Sequence, residues 1–552
     1  MLNLVLAQLN PIVGNIAFNQ DKILQTCRDA PDDNDLVIFP EMMLCGYPPE
    51  DLILKPAFIN VLHSATEEII EASKSFNTAL LLPTSWEKDG KIYNAAHLIQ
   101  NGEIIDTLYK HHLPNYGTFD EKRLFESGAI PSPIGFKGYK LGIMICEDMW
   151  LDDVAAHLKK EGAEIFIAVN ASPYSVQKND TRIKLAKKRC TENNLPLIYV
   201  NQCGGQDELV FDGASFAMNE AGALIMQGDI FTEQTHQMSW TKNDNGHWLC
   251  DAEPLERHNY DPLEEIYIAL MIGLRDYVSK NSFNGIILGL SGGIDSAMAA
   301  TIAVDALGAD NVQCVMMPSK YTSQESLDDA AAVAKALNVH LDTISIEDAV
   351  KTFGETLAPH FTSGTPDITH ENIQSRCRGL ILMALSNAHG KMVLTAGNKS
   401  EMAVGYATLY GDMCGGFNVL KDIYKTKLYE LAAWRNKHKP KHSFGPHNLV
   451  IAENIISKAP TAELKPDQTD QDSLPAYDVL DDILHGLIEE DLGTDALIKR
   501  GHDRETIQKV WHLLDRAEYK RRQSPPGTKV TTRNFGRDRR YPITNHFHTE
   551  KV

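Results

Sequence analysis

The sequence predicts an α/β protein of two large domains, the second built on a doubly wound parallel sheet. Three observations predict it. The 552 residues exceed one ordinary domain and suffice for two sizeable cores. Short apolar, β-branched runs alternate along the chain with polar, helix-compatible segments. The apolar stretch Ile286 to Leu290 runs into Ser291-Gly292-Gly293-Ile294-Asp295-Ser296 and then Ala297-Met298-Ala299-Ala300, which is the order strand, phosphate loop, helix.

In chain order, Met1 to Gln8 reads as a first strand. No basic residues precede its short apolar run, so a secretion signal is not expected and a cytoplasmic location is. Further strands are predicted at Leu36 to Phe39, Ala79 to Leu82, Leu141 to Ile145, Ile165 to Val169 and Leu197 to Val200. The chain turns polar between Trp240 and His258, and a helical pattern starts near Pro262-Leu263-Glu264-Glu265. These features place a first domain at 1–245, a linker at 246–262 and a second domain at 263–552. The second half repeats the alternation, with a strand at Val312 to Met317, an Ala-rich helix at Leu327 to Leu337 and a strand at Met392 to Thr395. A parallel sheet with helices on both faces follows. Pro460 to Pro475 is expected to be a loop.

Composition excludes several classes. Apolar residues make up 43% and charged residues 23%, and no run approaches the ~18 apolar residues a membrane span needs. With 53 Lys and Arg against 74 Asp and Glu, the net charge of −21 repels nucleic acid and favours small-molecule substrates. The exception is Lys520 to Arg540, with eight basic residues and one acid, which either binds phosphate or forms a solvated or subunit-contacting tail. Nine cysteines without a C-x-x-C pair predict neither disulfides nor zinc.

The glycine pair lets backbone N–H groups approach an anion at a helix N-terminus. No lysine closes the loop, so it is not a P-loop of the γ-phosphate-transferring kind. Instead, Ser291-Gly292-Gly293-Ile294-Asp295-Ser296 resembles the pyrophosphate loop of ATP pyrophosphatases. That resemblance implies ATP as co-substrate, an adenylylated intermediate, and Asp295 helping to hold Mg²⁺. Glu401, in Asn398-Lys399-Ser400-Glu401, could share the cation, because a hard metal prefers carboxylate oxygen; alone it would be a solvated helix-start acid. Arg376 and Arg378, at i and i+2, do not share a helix face. Lys421, Lys425 and Lys427 have surface solvation as their default role.

In the first half, Glu41, Lys110 and Cys146 each follow an apolar run. A thiol beside an ammonium is expected to have a lowered pKa and to attack an amide carbonyl, while a carboxylate moves the proton. Singly, each has a plain explanation as a buried thiol or a solvated strand-end charge. Together with Phe39-Pro40-Glu41, Leu44-Cys45-Gly46-Tyr47, Tyr109-Lys110, Phe119-Asp120-Glu121-Lys122-Arg123, Ile145-Cys146-Glu147-Asp148 and Asn170-Ala171-Ser172-Pro173, they resemble the nitrilase superfamily. The resemblance implies an αββα sandwich, with Glu41 as base, Lys110 stabilising the tetrahedral intermediate, Cys146 as nucleophile and Glu121 as supporting carboxylate. It further implies glutamine contacts from Tyr116, Ser172 and Lys178.

The second half, with Thr395 to Asp412, Lys458-Ala459-Pro460-Thr461-Ala462-Glu463-Leu464 and Asp470-Gln471-Asp472-Ser473-Leu474-Pro475, resembles the synthetase domain of NAD synthetases. Joined to a nitrilase-type amidase, it implies ATP-dependent amidation of deamido-NAD with ammonia from glutamine. ATP phosphates would fall to Gly289, Leu290, Ser291, Gly292, Gly293, Ile294, Asp295 and Ser296, with Arg376, Arg378 and Thr395 near ATP. Ile294 departs from the Gln or Val frequent there, at a position that offers mainly backbone. Asn372, Glu401, Asp412, Lys425, Thr461 and Lys520 would lie near deamido-NAD. The resemblance also implies a homo-oligomer, at least a dimer. Three alternatives stand beside it: another glutamine-fed ATP-pyrophosphatase ligase, an RNA-binding relative using the basic C-terminal segment, and an amidase whose second half only senses ATP.

Overall fold

Strand alternation fixes the layers of the first half. In the computed structural model, which describes residues 1–252, 254–362, 368–447, 449–466, 468–545 and 547, the chain divides into two compact units, Met1–Tyr260 and Asp261–Val552. The first unit holds two large sheets and a two-stranded ribbon, Cys203–Gln206 with Leu209–Asp212. The seven-stranded sheet runs Trp248–Cys250, Gln234–Lys242, Leu2–Gln8, Leu36–Ile38, Ala79–Lys88, Lys91–Gln100, Glu103–Tyr109. The six-stranded sheet runs Leu224–Gln227, Phe216–Met218, Leu197–Asn201, Ile165–Asn170, Tyr139–Ile145, Ile134–Phe136.

Side chains alternate across each strand, so one strand serves two cores. Leu2, Leu4 and Leu6 meet Ile143, Ile145, Ile167 and Val169 between the sheets. Val5 and Ala7 turn the other way, onto Ile16, Ile23, Leu62 and Ile69 of helices Ile16–Asp29 and Pro56–Ala72. On the far side, Met144, Phe166 and Ala168 pack on Val154, Leu158, Ala186 and Cys190 of helices Asp152–Lys160 and Lys178–Asn193. The order is helix, sheet, sheet, helix, the αββα sandwich that the resemblance implied. Each wholly buried Leu or Ile in such a core contributes roughly 1.5–3 kcal/mol.

Residues 248–250 lie in the stretch expected to be a linker, but they form an edge strand of the first unit. The cause is Trp248, buried against Tyr139 and Trp240 with ring centroids 4.9 and 6.4 Å away.

The second unit's sheet has five parallel strands in the order His340–Thr343, Val312–Met316, Ile286–Gly289, Met392–Thr395, Phe417–Asn418. Chain order therefore reverses beside Ile286–Gly289, whose neighbours are the second and fourth strands. Ile287, Val315 and Val393 face Ile373, Cys377 and Leu382 of helix Ile368–His389, while helix Ile294–Leu307 packs with helices Pro262–Lys280 and Lys425–Lys437. No helix among the described residues is long and apolar enough to cross a membrane.

The basic C-terminal segment is not a solvated tail. Arg521, Lys529 and Arg539 are buried, and ion pairs join Arg521 and Arg539 to Glu518 at 2.8 and 2.9 Å and Lys529 to Asp538 at 2.6 Å. The wholly buried Lys399 holds this segment from beneath, donating to Thr531 Oγ1 at 2.7 Å and to the Arg533 carbonyl at 2.9 Å while pairing with Asp422 and Glu489. Glu518 and Asp538 lie beside or within the segment, whereas Lys399 and its partners Asp422 and Glu489 lie far from it in the chain, beyond a local charge count.

Candidate functional site

Two sites emerge, one in each unit. In the first, the strands Leu36–Ile38, Glu103–Tyr109 and Tyr139–Ile145 end at Glu41, Lys110 and Cys146. All three are buried, and Lys110 Nζ donates to Glu41 Oε1 at 2.7 Å and Glu121 Oε1 at 2.9 Å. Glu41 is fixed on both oxygens, since Oε1 also accepts from Asn94 Nδ2 at 2.7 Å and Oε2 from the Ala171 amide at 2.9 Å. Tyr47 donates its hydroxyl to Glu121 Oε1 at 2.8 Å. Cys146 has φ 47° and ψ −94°, a conformation costly for a residue with a side chain and kept only where the surroundings impose it. Its amide donates to the Val169 carbonyl at 2.9 Å.

The electrostatics correct one expectation. The Cys146 thiol is pushed well up, not down, because burial and the Glu41 carboxylate outweigh Lys110. Lys110 is already shared by two carboxylates. Burial opposes its charge, but Glu121 and Glu41 hold the ammonium well above its ordinary range. Burial, opposed by Lys110 and reinforced by Glu41, pushes the Glu121 carboxyl up to about 7. The resting site therefore carries a neutral thiol beside a poised carboxylate, so proton removal must accompany attack.

The three residues expected to contact glutamine have different settings. Tyr116 is half exposed and donates to both oxygens of Glu147 at 3.1 and 3.0 Å. Ser172 is buried, its Oγ accepting from Arg182 Nε at 3.2 Å. Lys178 begins a helix, its Nζ 4.1 Å from the centre of the Trp150 ring. Sequence reasoning missed the supports. Arg182, wholly buried, clasps both Asp212 oxygens at 2.7 Å and the Ser172 and Pro173 carbonyls at 2.7 and 2.9 Å. Asn94 lies far in sequence from Glu41, Tyr47 from Glu121, Asp148 from His111 and His112, and Arg182 from Asp212, and only the word Cys146-Glu147-Asp148 offered a signal.

No zinc site was expected, yet His111, His112 and Asp153 bring one ligand atom each within 4.8 Å of one another. Internal bonds account for it: His112 Nε2 lies 2.8 Å from Asp153 Oδ1 and His111 Nδ1 2.7 Å from the Gly128 carbonyl.

In the second unit a cavity of about 340 Å³ opens where the sheet's chain order reverses. Gly289, Leu290, Ser291, Gly293, Ile294, Asp295 and Ser296 line it, with Arg378, Thr395, Glu401, Asp412, Lys425 and Thr461. Ser296 Oγ accepts from the Ser291 amide at 3.1 Å and donates to the Gly293 carbonyl at 3.0 Å, which winds the loop tightly. Gly292 has φ +85°, and a Cβ there would stand 2.3 Å from the Ser326 carbonyl oxygen. Thr395 Oγ1 is buried without a hydrogen-bond partner among the described residues, at the cavity wall.

Lys425 is buried, not solvated, and its Nζ lies between Asp295 Oδ2 and Glu401 Oε1. Lys421 is buried as well, whereas Lys427 is half-buried. Asn398 donates to Asp295 Oδ1 at 2.7 Å and caps the helix that carries Glu401. Burial and Asp295 push the Glu401 carboxyl up to about 8, against Lys425, with Asp470 and Asp412 adding to the repulsion. This excess of carboxylate oxygen fits a hard divalent cation bound together with phosphate.

Asn372, Arg376 and Lys520 stand outside the cavity lining. They hold the turn 405–412: Asn372 Oδ1 accepts from Thr408 Oγ1 at 2.9 Å, Arg376 Nε donates to the Leu409 carbonyl at 3.1 Å, and Lys520 Nζ donates to the Gly405 and Ala407 carbonyls at 2.7 Å. Arg378 Nε donates to the Met317 carbonyl at 3.1 Å, so the two arginines diverge.

Against this geometry, the carbon-nitrogen hydrolase family matches residues 4–243 and the NAD synthase family residues 266–524. The glutamine-dependent NAD(+) synthetase of Rhodobacter capsulatus is 46% identical over 99% of this chain and 98% of its own. That of Acinetobacter baylyi is 43% identical over 98% of each. The solved structure of the Acinetobacter baumannii glutamine-dependent NAD+ synthetase in complex with ADP is 41% identical, with a TM-score of 0.77, covering 99% of this chain and 98% of that one. With both sites in one chain and likeness running along its whole length, the chain belongs to the glutamine-dependent NAD(+) synthetase family.

Proposed function

We infer that the protein is a ligase that amidates deamido-NAD to NAD⁺, using ATP and ammonia released from glutamine. The observation that carries the reading is Lys110 Nζ held between two buried carboxylates, at 2.7 and 2.9 Å, beside a strained cysteine. Glutamine binds with its amide at Cys146. Glu41 takes the thiol proton as sulfur attacks the carbonyl carbon, and the Lys110 ammonium stabilises the oxyanion that forms. Glu41 returns the proton to the departing nitrogen, ammonia leaves, and a thioester remains. Water, deprotonated by Glu41, then releases glutamate and the thiol. Tyr116, Ser172 and Lys178 orient the substrate, and Glu121 sustains the lysine.

At the second site, the nicotinate carboxylate of deamido-NAD displaces pyrophosphate from ATP, and ammonia then displaces AMP from the mixed anhydride. The ADP named in the Acinetobacter baumannii structure agrees with an adenine nucleotide at this cavity. Loop amides from Gly289 to Ser296 cradle the phosphates, Thr395 Oγ1 supplies an uncommitted hydroxyl, and Arg378 faces the same space. Asp295 and Glu401 would hold Mg²⁺, which supplies charge neutralisation at the phosphates. Asp412 and Thr461 line the deamido-NAD side, and Asn372, Arg376 and Lys520 act by holding the 405–412 turn. We place self-association in the second unit, where Leu380, Met383 and Tyr410 are exposed; light scattering at the mass of two or more chains checks it.

Purified enzyme with Mg-ATP, deamido-NAD and glutamine is expected to form NAD⁺, AMP, pyrophosphate and glutamate. Glutamine hydrolysis without NAD⁺ under saturating substrates would reject this acyl acceptor.

A further inference from the structure

We propose that Asp148 is the positioning residue of the glutaminase centre, its single carboxylate setting Lys110 in place against Cys146. The proposal rests on the glutaminase reading above. Asp148 is wholly buried, and its two oxygens serve two chain segments. Oδ2 accepts from the amide of Ile145, at 3.2 Å, immediately before the strained Cys146. Oδ1 accepts from the amides of His111 and His112 at 3.1 and 2.8 Å, immediately after Lys110.

The contacts fall where the chemistry needs them. Cys146 keeps φ 47° only if its flanks are fixed; its own amide is held on Val169, its carbonyl accepts from the Met149 amide at 3.1 Å, and the Ile145 amide before it is held on Asp148. Lys110 follows the last residue of its strand, so nothing in the ladder beyond Tyr109 holds it. The segment is held instead by the Lys110 amide on the Asn94 carbonyl at 2.8 Å, by the Gly128 amide on the Lys110 carbonyl at 2.8 Å, and by Asp148 on the two residues that follow. A residue that only filled space would be apolar at such a buried point. A carboxylate receiving three main-chain N–H groups is a costly choice, and burial pushes its carboxyl up to about 6 even so. The cost is offset if misplacement of the two reacting side chains by about 1 Å lowers the rate by about 100-fold.

The test uses the full chain with Asp148→Asn. Asparagine keeps the shape but has one acceptor oxygen, so its NH₂ group meets an N–H donor on either the Ile145 or the His111 side. The expected result is a 10- to 100-fold fall in kcat for glutamine hydrolysis, with KM for glutamine within about twofold and a parallel fall in Cys146 alkylation by iodoacetamide. Ammonium-driven NAD⁺ synthesis, which bypasses this centre, serves as the folding control. Asp148→Ser, smaller and uncharged, takes its place with the same readouts if the asparagine variant does not fold. A kcat within twofold of the unaltered enzyme, or a raised KM with kcat kept, would overturn the proposal. Failure of the underlying reading looks different: Cys146→Ala would then still make NAD⁺ from glutamine.

Discussion

At the scale of residues, the glutaminase centre is defined by charge sharing. Lys110 stands between two carboxylates, so little of its field is left to ionise Cys146, and the thiol depends on Glu41 to take its proton. Glu121 makes this pH-dependent. Its carboxyl is pushed up to about 7, so the ionised form that holds Lys110 and Tyr47 prevails above that pH and is lost as the pH falls through it. Folding takes up a proton in that acid window, so stability gains there while the machinery is lost. The glutamine-dependent rate is predicted to fall below about pH 7 with a step that Glu121→Gln removes; a rate–pH profile of both proteins checks this. Arg182→Ala leaves Asp212 buried without its partner and is predicted to lower stability by ~3–5 kcal/mol, read by denaturant unfolding, with a raised KM for glutamine.

Among the elements, the junctions after strands carry the function. Glu41, Lys110, Cys146 and the loop at Ser291 each follow a strand, and each was legible because an apolar run stopping at a polar word is a local signal. The supports were not. Asn94 lies 53 residues from Glu41, and Lys399 lies 90 residues from Glu489, so only the folded chain brings them together. The lowered thiol pKa was misjudged because burial of Cys146, the larger cause, and the close approach of Glu41 and Glu121 to Lys110 exist only in the folded chain. The turn at Gly292 permits a strong prediction. With φ +85° and the Ser326 carbonyl 2.3 Å from a Cβ, Gly292→Ala should abolish ATP-dependent NAD⁺ formation while glutamine hydrolysis persists, measured in parallel assays.

For the whole molecule, two chemistries lie in one chain because the product of one is the nucleophile of the other. At neutral pH most ammonia is protonated and cannot attack an acyl-adenylate, so a source of free ammonia on the same chain has a purpose that either unit alone lacks. The central claim is that Cys146 supplies the nitrogen and the second unit spends it on deamido-NAD. The most direct measurement is NAD⁺ formation by the unaltered enzyme and by Cys146→Ala, each with glutamine and then with ammonium as nitrogen donor. The account predicts NAD⁺ from both donors with the unaltered enzyme and from ammonium alone with the variant. NAD⁺ from glutamine with Cys146→Ala, or none from ammonium with either protein, would contradict it.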